Sequence, residues 1–283
     1  MPAADRALDP TDVPPLTAAR LLPAVGVALS AVLLFGLYDQ PVRPSGYVLL
    51  VASLVAAFVI DRGLFRDLLL IGIGITIVSL VSVEADISYR NILVLGTVFT
   101  LAVLVPFLID RFVYRRKAIR FPWRSGQKWA PWEKSYLFSV PFLGWLILPF
   151  YFITSGVYLN WPAVDTPSEI GRLFVGVNAV GTWDELFFIC TCYALLLRHF
   201  RPLVANILQA IIFVSFLWEL GYQAWGPALT IPFALLQGFI FTRTKSLTYV
   251  LIVHLLFDLV VFLVIVHAHN PGLVPIFLVP SPS

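Results

Sequence analysis

A chain of 283 residues that is 59 % hydrophobic, only 12 % charged and +0.90 in mean hydropathy is not a soluble globular domain. Such domains carry about 25 % charged residues. The net charge of +3 does not describe a nucleic-acid surface, because the surplus cations gather in one loop. The charge deficit runs along most of the length, so many membrane spans are expected rather than one anchor. The fold class read from this pattern is an all-α polytopic membrane protein of about eight to nine transmembrane helices.

Residues 1–20 form a polar, Pro-rich tail of mixed charge, with no apolar stretch of the kind a cleaved signal needs, and disorder is expected there. Residues 21–110 hold four spans, at about 21–38, 46–61, 67–83 and 91–109. Residues 111–136 form a basic loop, RFVYRRKAIRFPWRSGQKWAPWEK, in which Trp123, Trp129 and Trp132 interleave with the cations. That pattern suits a segment lying on anionic lipid, although a plain orienting anchor needs the same residues. Residues 137–268 carry five more spans, at about 137–158, 170–197, 203–220, 227–242 and 246–267. The Pro-rich end, 269–283, is too short to cross and is expected on the outer surface.

Lysine and arginine set the direction. The basic loop is expected in the cytoplasm. Nine spans then put the N-terminus, Arg62 and Arg66, Arg198 and Arg201, and Arg243 and Lys245 on that same side. The opposite loops, VEADISYRN among them, hold most of the loop acids. The setting this implies is the plasma membrane, with a cytoplasmic N-terminus.

With the acids of loops, tails and span ends set aside, Asp184, Glu185, Glu219 and Asp258 are left inside spans, with His254 as the one histidine so placed. An unpaired charge at mid-bilayer costs about 2.5–3.5 kcal/mol or more, so such groups are expected to face each other or a wet cavity. All five fall in the last four spans. His254 and Asp258 are four residues apart and share a helix face. Asn178, Gly181 and Glu185 make a polar stripe with a small residue for close helix approach. At 1.5 Å per residue, His254, Asp258 and Glu185 lie about 12, 18 and 20 Å from the basic side, and Glu219 about 25 Å. Cys190 and Cys192 read as packing residues, and His267 and His269 as solvated polarity at a helix end.

The stretch from WDELFF (Trp183 to Phe188) to PFALLQGFIFTRTKSLTYVLIVHLLFD (Pro232 to Asp258) resembles the CAAX prenyl protease family, the CPBP or Abi group of intramembrane endopeptidases. The resemblance covers the C-terminal half, as a CAAX-protease-like core, and rests on the acid pair, Gly238, Arg243, Thr244, Ser246, Leu247, His254 and Asp258. It implies hydrolysis of a peptide bond in a membrane-associated peptide or prenylated protein. Asp184 with Glu185 would activate water, and His254 with Asp258 would steady the oxyanion. The chain also departs from the family pattern. Asp184 is one methylene shorter than the usual Glu, Ile189 stands at the family arginine, and Glu219 in VSFLWELGY stands at a family histidine.

Three outcomes follow from these departures. Glu219 replaces the histidine as a second carboxylate base; or Glu185 (or Asp184), Glu219, His254 and Asp258 hold a divalent metal that activates water; or the fold survives as a non-catalytic scaffold or binding protein. An ion- or proton-coupled transporter is a further rival, although no inverted repeat supports it. In the protease reading, Glu219→Gln and His254→Ala each abolish turnover.

Overall fold

The computed structural model describes residues 17–37, 40–124 and 128–282. Among these the chain is all helical, in nine long segments. They are α1 (Ala18–Gly36), α2 (Pro44–Ile60), α3 (Arg62–Val78), α4 (Tyr89–Val113), α5 (Pro131–Thr154), α6 (Pro167–Leu196), α7 (Pro202–Leu220), α8 (Pro227–Thr244) and α9 (Leu247–His269). Six of them, α1, α4, α5, α6, α7 and α9, are long and apolar enough to cross a membrane. The nine segments correspond to the nine apolar runs of the sequence. Nearly all of the N-terminal tail expected over 1–20 lies outside the described residues.

Short polar signals set the helix ends. Proline opens α2, α5, α6, α7 and α8, where its missing N–H costs no helix bond. Asp61 caps α3 by accepting from Gly63 N at 2.7 Å and Leu64 N at 3.2 Å. Thr166 and Glu169 form a reciprocal capping box at α6. The stretch from Arg243 to Leu247 is a helix-to-helix joint. Lys245 adopts φ 49°, ending α8, and Ser246 accepts from Tyr249 N to start α9.

Loop contacts sort the ends of the bundle. At one end Asp61 meets Arg20 at 2.5 Å, Asp67 meets Arg198 at 2.9 Å and His199 at 2.7 Å, and Leu247 N donates to Pro122 O at 2.8 Å. At the other, Val83 N donates to Glu219, Asn160 to Gly221 O at 3.0 Å, and Asn270 to Val164 O at 2.7 Å. The loops grouped by the lysine and arginine count thus share the basic end, and the acid-bearing loops share the opposite one.

Three expectations need correction. The first four spans do contain buried acids: Asp67 and Asp110 are each 1 % exposed. Arg116 reaches both, and Arg198 and His199 close on Asp67. The basic segment is not only a surface anchor. Asp110 draws it inward by accepting from Ala118 N at 2.7 Å and Ile119 N at 3.1 Å, which buries Ile119. Of its tryptophans, Trp123 and Trp132 are exposed, and Trp129 packs edge-on to Tyr249. Finally, His267 is buried rather than solvated, because the C-terminal segment folds back and Val279 O lies 3.0 Å from its Nε2. Trp145 holds the same segment through Ile276 O at 2.8 Å.

Candidate active site in the membrane core

Asp184 and Glu185 are consecutive, so they leave α6 about 100° apart and serve different surroundings. From Glu185 to Tyr193 the helix widens into a nine-residue π-segment. Such segments are rare, occur mostly as single turns and favour functional sites. Large rings pack this stretch. Trp183 stacks on Phe99 at 4.3 Å and on Phe187 at 5.2 Å, and Phe188 stacks on Phe213 at 4.5 Å. Phe187 also occupies the space over Gly74, where an added Cβ would come within 2.2 Å of its ring.

Inside this aromatic wall His254 meets three carboxylates. Its Nδ1 lies 2.7 Å from Glu185 Oε1, while its Nε2 lies 3.7 Å from Asp184 Oδ2 and 3.8 Å from Asp258 Oδ1. Gln237 Nε2 donates to the same Glu185 oxygen at 2.7 Å. Phe233 packs edge-on to the imidazole with ring centroids 5.0 Å apart. Glu185 is wholly buried, and Asp184, His254 and Asp258 are nearly so. Asp184 Oδ1 and Asp258 Oδ2 are buried without a hydrogen-bond partner.

Gly181 makes the approach of α9 possible. A Cβ there would lie 1.9 Å from Asp258 Oδ2. Of the polar stripe on α6, Gly181 and Glu185 therefore belong to the site. Asn178 does not: it bonds its own helix at Phe174 O.

A cavity of about 190 Å³ adjoins the cluster. Asp184, His254 and Asp258 line it, with Trp161, Tyr222 and Thr230 among the other walls. Glu185 stands behind His254. Its carboxylate orients the ring, and Nε2 is the nitrogen turned to Asp184, Asp258 and the cavity.

The structure therefore brings together four of the five residues singled out in the sequence. Glu219 does not join them. It lines a separate cleft with Gln40, Asn160 and Gln223 and accepts from Val83 N at 3.2 Å. The four-ligand metal set of Glu185, Glu219, His254 and Asp258 thus does not converge. Among the described residues no three His, Cys, Asp or Glu side chains make a metal-holding group. A carboxylate pair built from Glu219 and the α6 acids is dropped for the same reason.

Sequence reasoning missed Gln237. A survey of acids and histidines passes over a neutral amide, yet its signal was present as the one polar side chain in PFALLQGFIF. It donates to Glu185 the hydrogen bond that helps to hold the carboxylate against His254. Ile189, at the family arginine's position, is fully buried. The neighbouring Gly238 has a packing role. Asn206 fills the space of its missing Cβ and donates to Leu235 O at 2.7 Å, binding α7 to α8.

Residues 166–260 match the family model described as type II CAAX prenyl endopeptidase Rce1-like. Over that range the C-terminal core is similar to the CAAX-protease family. No curated protein and no solved structure matches the chain. The matched range holds all of Asp184, Glu185, Gln237, His254 and Asp258, so the cluster lies wholly within it. The cavity is completed from outside that range: α4 adds Phe99, and the loop before α4 adds Glu84 to Ile87 as wall.

Proposed function

We propose that the protein is an intramembrane endopeptidase of the CAAX-protease type, hydrolysing a peptide bond in a membrane-associated substrate. The observation that carries this reading is the Glu185–His254 pair at 2.7 Å, with Nε2 turned to a carboxylate-lined cavity. A buried carboxylate that holds one ring nitrogen leaves the other free to take a proton. At 3.7 and 3.8 Å from Nε2, Asp184 and Asp258 are too far for direct hydrogen bonds but near enough for a water on the cavity side to bond with all three.

In this mechanism His254 Nε2 removes a proton as the water oxygen attacks the scissile carbonyl carbon. The tetrahedral oxyanion is met by whichever of Asp184 and Asp258 carries a proton and donates it in a hydrogen bond. Collapse breaks the C–N bond, and the imidazolium returns the proton to the leaving amine. The products are one carboxylate and one amine, and the side chains regain their starting states. Substrates of this reading are membrane-associated peptides or prenylated proteins. The plasma membrane with a cytoplasmic basic end is the setting that the lysine and arginine distribution supports, with anionic lipid against the exposed Trp123 and Trp132.

The decisive experiment is a mass-spectrometric survey of protein termini in membranes of cells lacking this chain. The cells are complemented with wild type or an Asp184→Asn, Glu185→Gln double variant at equal level. Termini present only with wild type establish proteolysis and name the substrates. Identical termini, with the variant still rescuing any phenotype, leave a scaffold that keeps the fold without the chemistry.

A further inference from the structure

The cavity beside His254 is closed toward one end of the bundle and open toward the other. On the basic side of His254, the buried apolar side chains of Val140, Ile240, Leu247, Tyr249, Val250 and Val253 pack as one cluster. None of these six lines the cavity. On the other side, the walls run through Leu217, Tyr222 and Trp161 to the loop Glu84–Ile87. That loop belongs to the end opposite the basic segment, since its neighbour Val83 is bonded to Glu219 at the far end of α7.

The wall is also thin on one flank. Gly96 of α4 and Gly176 of α6 both line the cavity, and a Cβ at either would meet nothing within 4 Å. Gly96 and its neighbour in the lining, Ala179, are exposed. A bilayer chain or an apolar peptide side chain thus faces a window between these helices rather than packed side chains. Away from the His254 cluster, the charged residues of the lining are Glu84 and Asp86. Both are exposed, and Asp86 also caps Ser88 at 2.7 Å.

From these features we propose that substrates reach His254 from the acid-bearing end. An apolar peptide segment passes the window beside Gly96 and Gly176, and a basic residue flanking it rests at Glu84. The unpartnered oxygens of Asp184 and Asp258, buried and lining the inner end of this route, are the polar groups waiting for the peptide backbone. The inference rests on the proteolytic reading for its substrate, but the route is measurable without turnover. It places substrate entry on the face of the membrane away from the basic segment, with the cleaved bond carried inward to His254.

The test is thiol labelling of the full chain in right-side-out and inside-out membrane vesicles, with a membrane-impermeant maleimide. Native Cys190 and Cys192 are buried, so the parent chain gives the background. Glu84→Cys and the exposed Lys117→Cys mark the two ends, and Thr230→Cys reports the cavity. Thr230→Cys is expected to label in the same vesicles as Glu84→Cys. Labelling with the Lys117→Cys pattern, or in neither vesicle type, overturns the route.

A synthetic Leu/Ala peptide ending in two lysines is then added at the accessible face. It should slow Thr230→Cys labelling about tenfold more than its aspartate-ended counterpart, the ratio that about 1.4 kcal/mol gives. Glu84→Gln should erase that preference, and equal protection by the two peptides in the parent overturns the charge match. A chain that labels as expected while the terminus survey finds no cleavage retains the route and loses the enzyme. The opposite result retains the enzyme and loses the route.

Discussion

Glu185 reaches His254 from behind, 2.7 Å from its Nδ1 and on the side away from the cavity, although its neighbour Asp184 lines that cavity. One residue of the acid pair therefore positions the imidazole and the other faces the reaction. Glu185→Gln keeps the shape and removes the charge. We expect it to lower kcat by about 10²–10⁴, the range for losing a positioned acid–base partner. Because the site is not cut away from its substrate, KM should move little. Kinetics on a peptide found in the terminus survey decide this, and a drop confined to KM would show that Glu185 serves binding instead.

Gln237 makes the second hydrogen bond to Glu185. Replacing it with leucine should leave the carboxylate less well held, and a hydrogen bond to a charged group is worth about 1.5–3 kcal/mol. Turnover should fall by about tenfold, less than for Glu185→Gln. In the double variant the losses should not add, since both act through the same imidazole. Fully additive losses would show that Gln237 works by another path.

Gly181→Ala tests the approach of α9 to α6. The new methyl would stand 1.9 Å from Asp258 Oδ2, so the carboxylate or the helix must move. Activity should be lost while the chain still inserts and folds. Gly171→Ala, where a Cβ meets nothing within 4 Å, is the control. It should be silent in activity and neutral or slightly stabilising, because alanine favours helix by up to about 1 kcal/mol over glycine. Equal activity in the two variants, assayed after detergent purification, would rule out tight packing at Gly181.

Much of this architecture was legible in the sequence because apolar length and cation placement are one-dimensional signals. The nine runs became nine helices, and the grouping of Arg198 with the 111–136 segment reappears as Arg198 and Arg116 meeting on Asp67. The i,i+4 spacing of His254 and Asp258 likewise survives as a 3.8 Å contact. What stayed hidden depends on rotation and on neighbours. The π-segment at Glu185 shifts which residues face inward, and no pattern of residue types in WDELFF announces it. Asp67 looked like a span-end acid because its partners are 49, 131 and 132 residues away. Glu219 was counted into the site as an acid inside a span that also stands at a family histidine, whereas its carboxylate lies in another cleft.

Asp67 therefore gives a stability prediction. It is buried against Arg116, Arg198 and His199, tying α3 to the basic segment and to the turn before α7. Asp67→Asn leaves those cations facing a neutral amide. Breaking such a buried pair from one side costs about 3–5 kcal/mol. Thermal unfolding in detergent should show a clear drop. Glu84→Gln, at an exposed rim position, should stay within about 0.5 kcal/mol of wild type. A small effect at Asp67 would mean that water reaches the cluster and screens it.

Glu219 separates the two accounts of the site most sharply. As a water-activating base it would need its charge, and Glu219→Gln would abolish turnover. In the structure its oxygen accepts Val83 N–H and so holds the loop that walls the cavity at Glu84–Ile87. A glutamine still offers a carbonyl acceptor there, whereas an alanine does not. We therefore expect Glu219→Gln to retain most activity and Glu219→Ala to lose part of it. Proteolytic nicking or hydrogen exchange should report loosening of residues 80–88 in the alanine variant alone. Loss of turnover in the glutamine variant, with that loop as protected as in wild type, would return Glu219 to the chemistry and require the two clefts to join during the reaction.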